Sequence, residues 1–135
     1  MNRQLKQLEE FHRTFGLRVA NSLDETFDMD EGEFIDMLAL RKSLIEEETK
    51  EVTVELVDDM DIPNVAKEIA DLLYVTFGTI ISLGLQDKME EIFDEVHRSN
   101  MSKLTKDGKV LRREDGKVLK SSEYTPANID KVLYK

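Results

Sequence analysis

The chain has 135 residues, the usual length of one domain, and 36% of them are charged, with a net charge of −10. This charge argues against nucleic acid as a partner, because phosphate contacts need clustered Lys and Arg. Cysteine is absent and the only histidines are His12 and His97. Disulfides, thiolate metal sites and three-histidine zinc sites are therefore excluded, and the composition fits a reducing cytosol.

Neither a signal peptide nor a membrane span is expected. The N-terminal sequence MNRQLKQLEEFHRTFGL lacks the apolar segment and cleavage site of a signal peptide. The longest uncharged stretch, residues 72–86, contains Thr, Ser and Gly and is shorter than the ~20 apolar residues that cross a bilayer. It therefore predicts a buried helix.

The first 104 residues predict a bundle of four helices. Apolar residues spaced three and four apart predict a first helix over 2–15, which Gly16 would end. The mixed, Asp-rich residues 17–31 indicate a connection that is partly extended, or disordered in isolation. Three further helices are predicted over 33–57, 64–83 and 85–103. The sequence DDMDIPN separates the first two of these three.

The predicted third helix is apolar nearly all round after Asp71, so we expect it at the centre of the core. Four helices of one small chain would not cover such a helix on every side. Self-association, most simply as a symmetric dimer, is the expected solution.

The composition changes after Leu104, where the sequence DGKVL occurs twice. Asp-Gly pairs beside short β-prone runs predict a hairpin arm of two strands over 105–125. Residues 126–135 predict a short C-terminal helix or tail that begins near Pro126. The expected fold is all-α, a single domain over 1–135 that consists of a four-helix bundle with a small β-hairpin arm.

Two groups of acids interrupt this pattern. The first is EEETKE at residues 46–51, in which Glu48 and Glu51 are three residues apart and become neighbours on a helix. Glu68 and Asp71 repeat this spacing at the start of the apolar third helix. An antiparallel pair of these helices would direct all four carboxylates into one gap, where desolvated like charges need a counter-ion.

Carboxylate oxygens without histidine or cysteine suit a hard cation, Mg²⁺ or Mn²⁺. A di-iron bundle needs Glu-x-x-His on each of two helices, and the chain offers only an imperfect version from Asp94 to His97. Glu46 and Glu55 are expected on a solvated face. Glu68 and Asp71, at the start of the apolar third helix, are not expected on a solvated face, because solvation does not explain acids in a helix of the core.

The motifs EETKE at 47–51 and EIAD at 68–71 fit the patterns E-E-x-x-E and E-x-x-D. On two helices of a small acidic all-α protein, they resemble the MazG-like superfamily of NTP pyrophosphohydrolases. This superfamily includes phosphoribosyl-ATP pyrophosphohydrolase and the all-α dUTPases. The core resemblance covers 33–104. The sequences EFHRTFG, VHRSNMSK, DGKVLK and EYTP are similar to those of short stand-alone members and extend it to nearly the whole chain.

The resemblance implies a Mg²⁺-dependent enzyme, with Mn²⁺ as a substitute, that hydrolyses a nucleoside triphosphate to a monophosphate and pyrophosphate in nucleotide-pool control. Metal would be bound by Glu48, Glu51, Glu68 and Asp71. Glu47 matches the leading glutamate, which would reach a further metal or position the attacking water beside Glu48 and Glu51. Two or three bound cations would neutralise the triphosphate and activate the water.

The resemblance also implies residues for the rest of the nucleotide. Asn100 and Lys103 share a helix face and would reach phosphate oxygens, while Lys120 and Tyr124 would close over the nucleotide or pack on a neighbouring subunit. An aromatic slot for the base would come from Phe11 and His12 with Arg41, and Phe15 is a further candidate. The core of the bundle is the alternative place for both phenylalanines, and it is the favoured one for Phe15. The identity of the base stays open.

Two alternatives remain at this point. In the first, the chain is an enzyme that cleaves phosphoribosyl-ATP. In the second, it is a non-catalytic acidic helical adaptor or a nucleic-acid mimic that binds a basic partner. The leading expectation is a homodimeric or homotetrameric enzyme in the cytoplasm of a bacterium or of a phage-infected host cell.

Overall fold

The computed structural model describes residues 2–58 and 60–135. Asp59, in the predicted break DDMDIPN, lies outside the described residues. The elements are α1 Asn2–Phe15, α2 Leu23–Phe27, α3 Glu31–Val57, α4 Ile62–Leu83, α5 Met89–Met101 and α6 Ile129–Leu133. No sheet is present in the described part of the chain, which confirms the all-α prediction.

The chain divides into two compact units, Met1–Asp87 with α1 to α4 and Lys88–Lys135 with α5, the arm and α6. Each unit is described by itself. Over the described ranges, every helix is too short or too polar to span a bilayer.

Local signals set the ends of the long helices. Asp30 caps α3 by accepting hydrogen bonds from the amides of Gly32 and Glu33. Asp61 caps α4, which begins two residues before its predicted start because Pro63 is accommodated in the first turn. Gly84 ends α4 in the left-handed conformation at φ 71°.

α3 and α4 form an antiparallel hairpin, as predicted. Near its closed end the carboxyl of Glu51 contacts that of Glu68. Farther from the turn the Arg41 guanidinium donates from Nη2 to the Val75 carbonyl at 2.9 Å and from Nε to the Thr79 hydroxyl at 3.0 Å. Residues earlier in α3 therefore contact residues later in α4, as expected for antiparallel helices.

α1 packs on α4 and runs in the same direction. The Phe11 ring contacts Tyr74, and further along the chain Arg18 Nε donates to the Ser82 carbonyl at 3.1 Å. Leu5 and Leu8 are buried on α1, in agreement with the predicted apolar face. The N-terminal end of α1 consequently lies toward the first half of α4.

The sequence predicts that α4 lies at the centre of the core, and this prediction is confirmed for the C-terminal half of the helix. The C-terminal half of α4 is buried at Gly78, Ile80, Ile81 and Ser82. In the first half, Ile69 is 43% exposed and Leu73 is 47% exposed. This first half keeps an apolar surface that the described chain does not cover.

The connection after α1 is held in the folded chain by hydrogen bonds to α4. The Ala20 amide donates to the Ile81 carbonyl at 3.0 Å, and Ala20 is fully buried. The Ser82 hydroxyl donates to the Arg18 carbonyl at 3.2 Å. From α2, the Thr26 hydroxyl donates to the Leu83 carbonyl at 2.7 Å. The segment is held because it satisfies polar groups at the C-terminal end of α4.

In the second unit, the predicted two-stranded hairpin is reduced to one antiparallel bridge between Arg112 and Val118. Each DGKVL copy instead forms the same turn, in which Gly108 and Gly116 adopt positive φ angles. Their amides both donate at 2.9 Å, to the carbonyls of Thr105 and Arg113. The arm is exposed and has no third strand among the described residues, so its pairing stays short.

The arm leads to α6, which packs on α5. α5 begins at Met89, later than predicted, because a turn follows Gly84. Glu95 on α5 joins the two elements by pairing with Arg98 at 2.8 Å and accepting from the Asn128 amide at 2.8 Å. These contacts, that of Arg98 first, lower the pKa of Glu95 to about 2.

Candidate metal centre and active site

Three of the predicted acids meet across the α3–α4 hairpin. Glu48, Glu68 and Asp71 each present a carboxylate oxygen within 4.8 Å of the other two. All three side chains are half-buried. The helix spacing predicted from the sequence therefore brings these groups together in the first unit.

The fourth predicted acid, Glu51, lies beside this cluster. Contact with the Glu68 carboxyl, and then the negative charge of Glu48, raise the pKa of Glu51. Glu51 lines a cavity of about 530 Å³ whose other walls are Glu47, Lys50, Val54, Glu55 and Glu68. The predicted accessory Glu47 thus shares this cavity with Glu51.

Lys67 is the cation in direct contact with the cluster. Its ammonium lies 2.8 Å from Asp71 Oδ2 and 3.1 Å from Glu68 Oε1. These hydrogen bonds, that to Asp71 first, raise the pKa of Lys67. The Lys67 side chain is 64% exposed, and one lysine offsets only part of the charge of four acids.

Two carboxylate oxygens of the Glu48, Glu68 and Asp71 cluster have no hydrogen-bond partner among the described residues. Glu48 Oε2 and Glu68 Oε2 are buried and accept no hydrogen bond from the described residues. Burying an ionised oxygen without a donor is costly, and a cation at this place would remove the cost. Converging oxygen donors with unused lone pairs fit a hard divalent ion such as Mg²⁺.

The two acids expected on a solvated face behave differently. Glu46 is exposed and pairs with Lys42 at 3.3 Å. Glu55 is half-buried and lines the cavity with Glu51, against the expectation. The four-residue spacing of Glu47, Glu51 and Glu55 was the available signal, because it places all three on one helix face.

A second cavity, of about 400 Å³, lies between α1 and α4. We call it the aromatic cavity, and its walls are Gln7, Glu10, Phe11, Thr14, Phe15 and Tyr74. The Phe11 ring centroid is 4.6 Å from that of Phe15 and 5.3 Å from that of Tyr74, which meets it edge-on. Phe11 was a candidate for the base slot in the sequence, whereas Phe15, which the sequence favoured as a core residue, is 67% exposed. Tyr74 was missed because it looked like one more apolar position of the core helix.

His12 and Arg41, predicted as members of the same slot, are instead in the interior. They are 1% and 4% exposed and lie against Gly78. A Cβ atom at Gly78 would come within 2.6 Å of Arg41 Nη2 and 2.8 Å of His12 Nε2. The absence of a side chain at Gly78 makes room for the guanidinium and the imidazole.

Burial controls the protonation of this pair. His12 Nδ1 is 2.9 Å from the Arg18 carbonyl, and since a carbonyl only accepts, Nδ1 carries the proton. Desolvation lowers the pKa of His12, with a further contribution from the charge of Arg41. Burial also lowers the pKa of Arg41.

The remaining predicted substrate residues belong to the second unit. Asn100 and Lys103 line one cavity of about 420 Å³, together with Met101, Leu104, Val110, Arg112 and Val118. On the arm, the Lys120 ammonium lies 4.6 Å from the centre of the Tyr124 ring.

Residues 8–100 match the model of the family described as phosphoribosyl-ATP pyrophosphohydrolase. The match spans more than half of the chain and contains both acidic motifs, and it confirms the resemblance to the MazG-like all-α superfamily. It ends before the sequences DGKVLK and EYTP, so their part of the resemblance stays a prediction. No curated protein matches the chain.

Proposed function

From the premise that the chain belongs to the phosphoribosyl-ATP pyrophosphohydrolase family, we propose that it is a Mg²⁺-dependent nucleoside triphosphate pyrophosphohydrolase. It would convert a ribo- or deoxynucleoside triphosphate to the monophosphate and pyrophosphate. The family itself supports a pyrophosphohydrolase-type activity. The observation that carries the proposal is the convergence of Glu48, Glu68 and Asp71 around buried oxygens without hydrogen-bond donors.

The metal ligands in this proposal are Glu48, Glu51, Glu68 and Asp71. When bound there, Mg²⁺, or Mn²⁺ in its place, would neutralise the triphosphate and lower the pKa of the attacking water. Glu51 extends the cluster toward the cavity and so sets the side from which the substrate approaches. Glu47, exposed on the same wall, would orient the attacking water.

The phosphate-binding role that the resemblance implies for Asn100 and Lys103 is part of the proposal. Asn100 and Lys103 share a cavity wall and offer an amide and an ammonium to phosphate oxygens. Lys120 and Tyr124, already in contact with each other, would close over the nucleotide or pack on a neighbouring subunit. In a protein of net charge −10, these groups and the cations would overcome the repulsion of a triphosphate.

The proposal includes a homodimer or homotetramer that acts on the nucleotide pool of the cytoplasm. The uncovered apolar side chains of α3 and α4 support self-association, among them Ile35, Leu38, Leu40, Val54, Leu56, Ile69 and Leu73. A second chain would cover the first half of α4, which the sequence predicts to be buried.

One alternative has support from a specific observation. The matching family is described by phosphoribosyl-ATP hydrolysis, so this nucleotide is the alternative substrate. The other alternative, a nucleic-acid mimic, would display its acids outward and need no metal. The inward position of Glu68, whose side chain is 13% exposed, argues against it.

The deciding experiment measures pyrophosphate release from a panel of ribo- and deoxynucleoside triphosphates and phosphoribosyl-ATP, with and without Mg²⁺. The variants are Glu51→Gln and Asp71→Asn, with Glu46→Gln as the matched control on the solvated face. We expect turnover to fall about 100-fold or more in the first two and to persist in the control. Undiminished turnover in both variants would overturn the metal site, and cleavage of phosphoribosyl-ATP alone would favour the alternative.

A further inference from the structure

We propose that the aromatic cavity between α1 and α4 binds the base of the nucleotide, and that Glu10 at its wall selects bases with an exocyclic amino group. This inference rests on the proposed function and deepens it by naming the class of substrate. The expected substrates are cytosine, adenine and guanine nucleotides, in preference to those of uracil and thymine.

The position of the cavity relative to the acids carries the first step. Tyr74 follows Asp71 by three residues on α4, so the two side chains lie on the same helix face with a rise of about 4.5 Å between them. Because α1 runs parallel to α4, Gln7 lies at the end of the cavity that faces the acids. A nucleotide with its phosphates at the acid cluster would have its base one helical turn away, at these rings.

The rings themselves carry the second step. Tyr74 is 39% exposed and Phe15 is 67% exposed, while Phe11 stands between them in contact with both. Free aromatic faces in a concave wall are the surface on which a base stacks. Stacking is tolerant of base identity, so these rings would supply affinity for any nucleotide.

The polar members of the wall favour a base over a second copy of the chain. Gln7, Glu10 and Thr14 alternate with the rings, and a few polar groups in an apolar concavity are the usual composition of a small-molecule site. The apolar surface suited to a second copy lies instead on Ile69 and Leu73 of α4, which do not line this cavity.

In this proposal, Glu10 determines which bases are preferred. A carboxylate only accepts hydrogen bonds, so it favours an amino group and repels a carbonyl oxygen. Cytosine and adenine present one exocyclic amino group, and guanine presents an amino group beside a ring N–H. Uracil and thymine present carbonyl oxygens on both sides of their ring N–H. Each amino-bearing base is therefore expected to be preferred over its carbonyl analogue.

The first test replaces a stacking ring. We expect Tyr74→Leu to raise KM about tenfold for every nucleotide hydrolysed and to leave kcat within about twofold, because stacking acts on binding. Phe27→Leu, at an exposed phenylalanine of the same unit outside the cavity, is the control and should leave KM unchanged. A KM unchanged in Tyr74→Leu overturns the base site.

The second test compares nucleotides with and without an exocyclic amino group. In dUTP a carbonyl replaces the amino group of dCTP, and in dITP a hydrogen replaces the amino group of dGTP. Wild type should favour the amino-bearing member of each pair by about tenfold in kcat/KM. Glu10→Gln should bring both ratios close to one, and Glu9→Gln, whose carboxylate pairs with Arg13 on the same helix, should leave them unchanged. Equal rates for both members with wild type overturn the selection by Glu10.

Calorimetric titration with dCMP and dUMP in the absence of metal separates this inference from the proposed function. Tighter binding of dCMP that is lost in Tyr74→Leu supports the base site even if no triphosphate is hydrolysed. Hydrolysis with no effect of either substitution refutes the base site and retains the enzyme. A fall in the assembly mass of Tyr74→Leu, with unchanged affinity for dCMP, assigns the rings to a contact between copies and also overturns the inference.

Discussion

The two ends of the α3–α4 hairpin bury charge in opposite ways. At one end Glu48 and Asp71 face each other with more negative charge than Lys67 offsets. Seven residues away along each helix, Arg41 lies buried against Gly78. Its hydrogen-bond acceptors are the neutral Thr79 hydroxyl and Val75 carbonyl. The contact between α3 and α4 thus contains acidic side chains at one place and the Arg41 guanidinium at another.

The separation explains why the two ends have different requirements. Seven residues correspond to about 10 Å along a helix, so Arg41 is too far away to pair with the Glu48 carboxylate. The arginine end is completed by groups of the chain itself, whereas the acid end leaves two buried oxygens without donors. A protein that needed only stability would place these charges together. In the proposed enzyme, this separation would leave the acids available to a cation from solution.

The largest expected effect concerns the acid end. Wild type should gain about 2.7 kcal/mol of unfolding free energy at a Mg²⁺ concentration 100 times Kd, because the ion binds the folded chain. Glu48→Gln should lose this gain without a loss of metal-free stability, since it removes one of several like charges. Thermal unfolding with and without Mg²⁺ measures both. A gain equal to that of wild type in Glu48→Gln would contradict the site.

The next effect concerns the arginine end. Gly78→Ala should lower the free energy of unfolding by about 1–2 kcal/mol, because the added methyl overlaps Arg41 and His12 by more than the helix propensity of alanine compensates. Gly32→Ala, where the added methyl would lie 3.2 Å from the end of the exposed Asp30 side chain, is the control and should lower stability less. Denaturant unfolding compares the two, and an equally stable Gly78→Ala would show that the interior is loosely packed.

A smaller effect should follow pH. Since burial lowers the pKa of His12 in the folded chain, the unfolded chain binds the proton more readily near its ordinary value of about 6.5. The contribution of the neutral imidazole to the free energy of unfolding is therefore fully present above about pH 6.5. It is lost as pH falls from that value through the lowered pKa of the folded chain. The charge of Arg41 acts on the imidazole and lowers its pKa further, while the neutral Arg18 carbonyl accepts its hydrogen bond and raises it. His12→Asn, which keeps a donor for that carbonyl, should flatten this part of the profile of thermal midpoint against pH.

The smallest effect is expected at Lys67. Its side chain is largely exposed, and surface ion pairs contribute little, so Lys67→Met should lower the metal-free thermal midpoint only slightly. The Mg²⁺-induced rise should persist or increase, because an internal competitor for the carboxylates is removed. If the rise disappears, Lys67 assists the cation instead of substituting for it.

The positions of the long helices were predictable because apolar periodicity and capping residues are local signals. The first helix was predicted with its observed ends, and Glu48, Glu68 and Asp71 converge as their spacing on two helices required. The acidic pattern was informative because an acid within an apolar helix has few explanations.

What the sequence did not reveal depends on contacts distant in the chain. The order of residues 17–31 comes from hydrogen bonds to α4, more than fifty residues away. Tyr74 joins a cavity only through its contact with α1. The burial of Arg41 depends on the missing side chain of Gly78, and a lone arginine in a helix usually indicates a surface.

The hydrogen bonds between the segment after α1 and the end of α4 also bear on how the chain opens. Backbone groups of Arg18 and Ala20 bond to Ser82 and Ile81, so neither segment can separate without breaking the contacts of the other. Amide hydrogen exchange should therefore report the two as one cooperative unit, with protection lost together. The first half of α4, which carries Asp71, lies outside this unit and should open at a lower free energy until a cation is bound.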